Sequence, residues 1–144
     1  MKGIDHIGIA VNDLDSASAT YERLLGKPRY KTERVEAEEV KTAFFSCGDS
    51  KIELLESAHE NSTISRFIGK RGEGIHHIAF EVDDIREEIR RLKAAGFDFS
   101  VEEPRVGADN KLFCFLHPRK THGVLVELCQ EIKEATDRRG KSFD

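Results

Sequence analysis

The chain has 144 residues, enough for one domain assembled from two halves of about 70. Its 23 Lys and Arg stand against 27 Asp and Glu, a formal net charge of −4, which gives no bulk attraction for nucleic acid or anionic lipid. The apolar runs are a handful of residues long, short of the roughly 20 that span a bilayer, and residues 1–11 do not read as a secretory leader. Three cysteines, Cys47, Cys114 and Cys129, form no CxxC pair; this argues against a disulfide framework and for small buried thiols in a reducing, cytoplasmic setting.

In chain order, Ile7, Ile9 and Val11 alternate with His6, Gly8 and Ala10, the period of a strand with one apolar face. Asp13 then caps a helix with a stripe of Leu14, Ala17, Tyr21, Leu24 and Leu25, stopped by Gly26 and Pro28. Residues 29–35, 40–47 and 50–56 read as strands, the last two joined by a turn at Cys47-Gly48-Asp49-Ser50. A linker, 58–74, carries Ile64, Phe67 and Ile68 and predicts a short helix. Ile78, Phe80 and Val82 then open a second alternating strand, with His77, Ala79 and Glu81 on its other face and His76 pointing with Ile78 and Phe80. Asp84 caps a second helix with a stripe of Ile85, Ile89 and Leu92, stopped at Gly96, and strands follow at 97–102, 111–116 and 123–130. Residues 132–144 form a tail with little to bury.

The two halves match. Residues 5–14 correspond to residues 76–85 at a constant offset of 71, and Lys51-Ile52-Glu53-Leu54-Leu55 corresponds to Leu125-Val126-Glu127-Leu128-Cys129 at an offset of 74. Matched blocks in the same order imply two copies of one β-α-β-β-β unit, module one over about 1–57 and module two over about 75–131, related by a pseudo-twofold axis in a single domain, 1–131. The helices claim the Ile7/Ile9/Val11 face, so His6 and its equivalent His77 face the other side, beside the small Gly8, Ala10 and Ala79. Glu53 and Glu127 lie inside apolar strands, where an unpartnered carboxylate costs several kcal/mol. Their recurrence at matched places predicts that His6, Glu53, His77 and Glu127 converge on the concave face. Such a set of N and O donors suits one divalent ion, Zn, Ni, Co or Mn, with positions left for a substrate. His59 and His122 have no matched partner and read as surface residues.

These residues resemble the vicinal oxygen chelate (glyoxalase/bleomycin-resistance) superfamily, and within it the methylmalonyl-CoA epimerase family. The likeness runs from about Ile4 to Gln130. Its more specific motifs are the linker Phe67-Ile68-Gly69-Lys70-Arg71-Gly72-Glu73-Gly74 and the later Leu116-His117-Pro118. The resemblance implies an α+β fold in which paired βαβββ modules form an open, cupped, mixed sheet around a metal site. It implies His6, Glu53, His77 and Glu127 as ligands and a homodimer acting on a small-molecule acyl-CoA substrate, while the charge and the short apolar runs argue for no nucleic acid and no membrane partner. The implied reaction interconverts the (R) and (S) forms of methylmalonyl-CoA by proton abstraction through a metal-stabilised enediolate. Glu127 and Glu53 are then the candidate bases. A Glu at position 53 also fits a lactoylglutathione lyase of the same superfamily, and a ligand-sequestering binder is the non-catalytic alternative. Certain epimerases carry a second catalytic Glu at the place occupied here by Thr42, with Glu38 and Glu39 close by. The basic residues Lys70, Arg71, Arg119 and Lys120, with His117, are either coenzyme A contacts or solvated loop residues.

Overall fold

The structure, a computed structural model, describes residues 1–133; the tail from 134 onward lies outside the described residues. The chain runs β1 (Gly3–Ala10), α1 (Leu14–Leu25), β2 (Lys31–Val35), β3 (Val40–Cys47), β4 (Ser50–Ser57), α2 (Thr63–Arg71), β5 (Gly74–Glu81), α3 (Ile85–Ala94), β6 (Phe99–Gly107), β7 (Lys111–Leu116) and β8 (Val126–Glu131). Short 3-10 turns at Glu36–Glu38 and Ala108–Asn110 close the β2–β3 and β6–β7 hairpins.

Both module helices begin for the same local reasons. Asp13 accepts a hydrogen bond from the Ser16 amide and Asp84 from the Glu87 amide, at 3.0 and 3.1 Å. A further first-turn amide in each is satisfied from the module's last strand: Leu14 donates to Glu56, and Ile85 to Gln130, both at 2.9 Å. Gly26, at φ 72°, ends α1 in the left-handed conformation that its missing Cβ permits.

The eight strands form one curled sheet in the order β2-β3-β4-β1-β5-β8-β7-β6. The antiparallel β1–β5 pair lies at the centre, and each partner is flanked by a parallel strand of its own module, β4 or β8. On the convex face α1 buries Leu14 against Val11, Ala43, Phe45 and Leu54, while α3 buries Ile85, Ile89 and Leu92 against Val82, Cys114, Leu116 and Leu128. Each large aliphatic side chain so buried contributes roughly 1.5–3 kcal/mol. Leu24 departs from the predicted stripe. It sits about 80° round the helix from Leu14 at 100° per residue, at the stripe's margin in the last turn, and is 71 % exposed. Cys114 and Cys129 are buried thiols as expected, whereas Cys47, at the end of β3, is exposed.

The concave face is covered in part by α2, whose Ile64 joins Ala10, Val35, Val40 and Leu55. The two outer hairpins meet across this face: the Asp109 amide donates to Glu33 at 3.3 Å, and Lys31 donates to the Asp109 carboxylate at 3.3 Å. Strand β6 runs beyond the predicted 97–102 to Gly107. Its pairing with β7 is irregular between Val101 and Arg105, around Pro104, which lacks a ladder donor and is tolerated on an edge strand.

Strict alternation fails at one point, and fails twice. The β1–β5 register skips Asp5 between Ile4 and His6, and skips His76 between the partners of Gly8 and Ile9. Asp5 and His76 are the same position in the two repeats. Each is the extra residue of a β-bulge, which puts two consecutive side chains on one face. His76 therefore does not point with Ile78 and Phe80. Its ring lies 4.9 Å, edge-on, from Phe67 of α2, on the concave side.

Candidate metal centre

Two rows of side chains cross the central strands. Glu53 of β4, Gly8 of β1 and His77 of β5 are register neighbours; so are His6 of β1, Ala79 of β5 and Glu127 of β8. In each row a histidine and a glutamate flank a residue with little or no side chain, so the two functional groups lean together over the gap. Gly8 is required to be bare: a Cβ there would lie 2.2 Å from the His77 ring. The four polar side chains are 4–6 % exposed.

His6 is the hub. Its Nε2 lies 3.0 Å from His77 Nε2, 3.1 Å from Glu127 Oε2 and 3.8 Å from Glu53 Oε2. Adjacent donors on an octahedral ion with bonds of about 2.1 Å stand about 3.0 Å apart, the spacing found here. His6, His77 and Glu127 offer atoms all within 4.8 Å of one another; Glu53 stands one step back, reached through His6. Of the four predicted residues, the structure thus draws three together tightly and sets the fourth beside them. Asp5, His6 and Cys129 also approach within 4.8 Å. Asp5 is committed to cations there, and the Cys129 thiol donates to the Phe80 carbonyl at 3.6 Å, so that group is no ligand set.

The charges fit a cation. Burial opposes a charged His6, but hydrogen bonds to Asp5 and Glu127 and the nearby Glu53 push it up to about 10. Burial pushes Glu53 up to about 8, with Glu127 adding to the rise against the pull of His6. His77 is held well below its usual value by burial, then by His6 and His76. A divalent ion held by His6, His77, Glu127 and Glu53 would bring positive charge to this buried set of donors and displace protons from it.

Behind each of the two imidazole rings stands the bulge residue of its own strand. His6 Nδ1 donates to Asp5 Oδ2 at 2.7 Å, leaving Nε2 for the site. Asp5 is 5 % exposed and is also bonded by Lys111 and, at 3.2 Å, by Lys51. Burial alone would raise its pKa, yet the bonds from His6 and Lys111 hold the carboxyl well below the usual range. Behind His77 the partner is His76, whose Nδ1 is 2.9 Å from His77 Nδ1. Sequence reasoning missed Asp5, Lys111 and His76 as participants, although Asp5 and His76 open the repeated block and so carried a signal.

A small cavity of about 20 Å³ lies beside His6, lined by Asp5, Glu38, Glu53, Lys111 and Glu127; it has room for one ion or water. Next to it opens a groove of about 420 Å³ bounded by His76, His77, Phe113, Phe115, Arg66 and Arg105. Thr42 faces inward but offers only a hydroxyl, which donates to the Glu33 carbonyl at 3.3 Å. Glu39 turns away to pair with His59 at 3.3 Å. Glu38 does turn inward, its value pushed up to about 7 by burial and then by Glu127, against the pull of His6. At the far side Arg119 is tied to Asp98 at 3.1 Å.

A family model described as the glyoxalase/bleomycin resistance protein/dioxygenase superfamily matches residues 5–115. The chain belongs to this superfamily. Within it, the chain is 40 % identical over 129 residues to an ethylmalonyl-CoA/methylmalonyl-CoA epimerase of Cereibacter sphaeroides, covering 88 % of this chain and 96 % of that one. The crystal structure of methylmalonyl-CoA epimerase from Mycobacterium tuberculosis superposes with a TM-score of 0.87 at 34 % identity, covering 91 % of this chain and 89 % of that one. A variant of the Streptomyces coelicolor methylmalonyl-CoA epimerase in complex with 2-nitronate-propionyl-CoA gives 0.85 at 36 % identity, covering 91 % and 95 %.

Proposed function

We propose that the chain is a metal-dependent methylmalonyl-CoA epimerase, an isomerase that inverts the carbon between the thioester and the carboxylate of methylmalonyl-CoA. The observation that carries the reading is the approach of His6, His77 and Glu127 beside an open groove, in a chain this similar to epimerases. His6, His77, Glu127 and Glu53 hold the ion, which, when bound, supplies Lewis-acid polarisation of the thioester carbonyl. Glu127, carried by β8 in the sheet floor, takes the α-proton. Glu53, one step back from the other three, is assigned to the ion alone.

The groove supports a long anionic substrate. It continues into a pocket of about 290 Å³ lined by Arg66, Lys70, Arg71 and Phe67, where three cations can meet the phosphates of coenzyme A. Lys70 and Arg71 are thereby the better contacts of the basic residues in the sequence, while Arg119 is engaged with Asp98. The family resemblance supports a homodimer. No helix among the described residues is long and apolar enough to cross a membrane.

The deciding experiment follows the α-proton by NMR. Protein stripped with chelator and reloaded with Co, Ni, Zn or Mn is incubated with methylmalonyl-CoA in deuterium oxide. Loss of the α-proton signal that requires metal and is abolished in Glu127→Gln is the expected result. No exchange with any metal, together with turnover of the methylglyoxal–glutathione hemithioacetal, would replace the epimerase by a lactoylglutathione lyase.

A further inference from the structure

Inverting a carbon centre requires a proton to leave one face and another to arrive at the opposite face, so one base at the floor of the site is not enough. Five carboxylates line the small cavity, those of Asp5, Glu38, Glu53, Asp109 and Glu127, and of these Glu38 alone also lines the groove. It is carried not by the sheet floor but by the 3-10 turn Glu36–Glu38, at the rim where the two outer hairpins meet over the concave face. Its approach depends on a bare backbone across from it: a Cβ on Gly107 would lie 2.6 Å from Glu38 Oε1 and 2.7 Å from Phe113 Cδ1. Gly107 has extended backbone, φ −127°, so the turn itself makes no demand for glycine there. The demand is for space.

We propose that Glu38 is the second proton-transfer group of this site, facing Glu127 across the substrate carbon, and that Gly107 is the opening that admits its carboxylate. The inference rests on the epimerase reading and assigns the role left open by Thr42. In one direction the Glu127 carboxylate takes the α-proton. The C–H electron pair passes into the thioester carbonyl to give an enolate. The Glu38 carboxylic acid then delivers its proton to the opposite face as that pair returns to carbon. Glu127 ends protonated and Glu38 ionised, and exchange with water in the groove restores both. In the reverse direction the roles exchange. Glu53 remains a ligand and moves no proton.

The test separates proton removal from inversion. Wild type and Glu38→Gln, both loaded with Co, are given a single epimer of methylmalonyl-CoA in deuterium oxide, α-proton loss being read by NMR and inversion by a stereospecific coupled assay. With Glu38→Gln, the epimer served by Glu127 exchanges its α-proton within a few-fold of the wild-type rate, while inversion falls about 10²–10⁴-fold, the range for loss of a general acid or base. Gly107→Ala shifts the ratio of exchange to inversion in the same direction by about tenfold, because its methyl displaces the carboxylate. Cobalt affinity of Glu38→Gln stays at the wild-type value. Inversion by Glu38→Gln at the wild-type rate overturns the proposal, as does a parallel fall in exchange and inversion. If wild type neither exchanges nor inverts, the epimerase reading itself fails and takes this one with it.

Discussion

A carboxylate behind a ligating imidazole selects the ring's tautomer and makes the free nitrogen a better donor. Asp5 holds that place for His6 at 2.7 Å, whereas the matched place behind His77 is held by His76, an uncharged ring. Asp5→Asn should therefore weaken metal binding about 10–100-fold, as measured by competition with a chromophoric chelator. The same change strands Lys111, which is 9 % exposed, without its anion. Asp5→Asn/Lys111→Met should regain the stability lost in the single variant, read by urea denaturation, but not the affinity. His76 carries a second, separable prediction. Burial, then Arg71, lowers it to about 4. Between about 4 and its unfolded value near 6.5 the unfolded chain binds the proton and the folded chain does not, so stability falls as pH drops through that window. In His76→Phe, which keeps the stacking on Phe67, the pH dependence of metal-free protein between 6.5 and 4 should become shallower by about one proton, seen in the urea midpoint at successive pH values.

At the scale of elements, glycine is the finest probe, because two of them sit in opposite circumstances. Gly8→Ala drives a methyl into the His77 ring and should abolish tight metal binding while leaving far-ultraviolet circular dichroism unchanged. Gly69→Ala, exposed within α2 with nothing near its added Cβ, should stabilise the protein by about 0.5–1 kcal/mol, measured as a rise in melting temperature. Elements with strong local signals were legible in the sequence: capped helices at Asp13 and Asp84, a short linker helix, and alternating strands. So was the convergence of His6, Glu53, His77 and Glu127 on the concave face, since a buried Glu that recurs at matched places marks a shared site. The bulges were not, because an inserted residue leaves the period of two intact on either side and shows itself only in pairing. Glu38 and Glu39 were both visible as neighbours of the Thr42 place, but which of them turns inward was not, since a 3-10 turn outside the matched blocks decides it. Leu24 misled because periodicity locates a stripe more sharply than its edges.

On the scale of the whole molecule, the site belongs to neither module. His6 and Glu53 come from one half, His77 and Glu127 from the other, and they meet only because β1 and β5 pair at the centre of one sheet. The two halves should then unfold in a single transition, with near- and far-ultraviolet signals coincident, and not in two steps. Cobalt at 100 times its dissociation constant should raise stability by about 2.7 kcal/mol, with chelator reversing the rise. The β1–β5 seam also carries a consequence for synthesis of the protein. Were β5 to slip by one residue against β1, His77 would turn to the helix side and Ile78 into the groove. The paired bulges, one on each strand, make that slip doubly costly, since each extra residue would lose its place. The chain can pair without an ion, but a divalent ion at this centre would be held only where the halves have met in the right frame, so its retention would serve as a proof-reader of the seam.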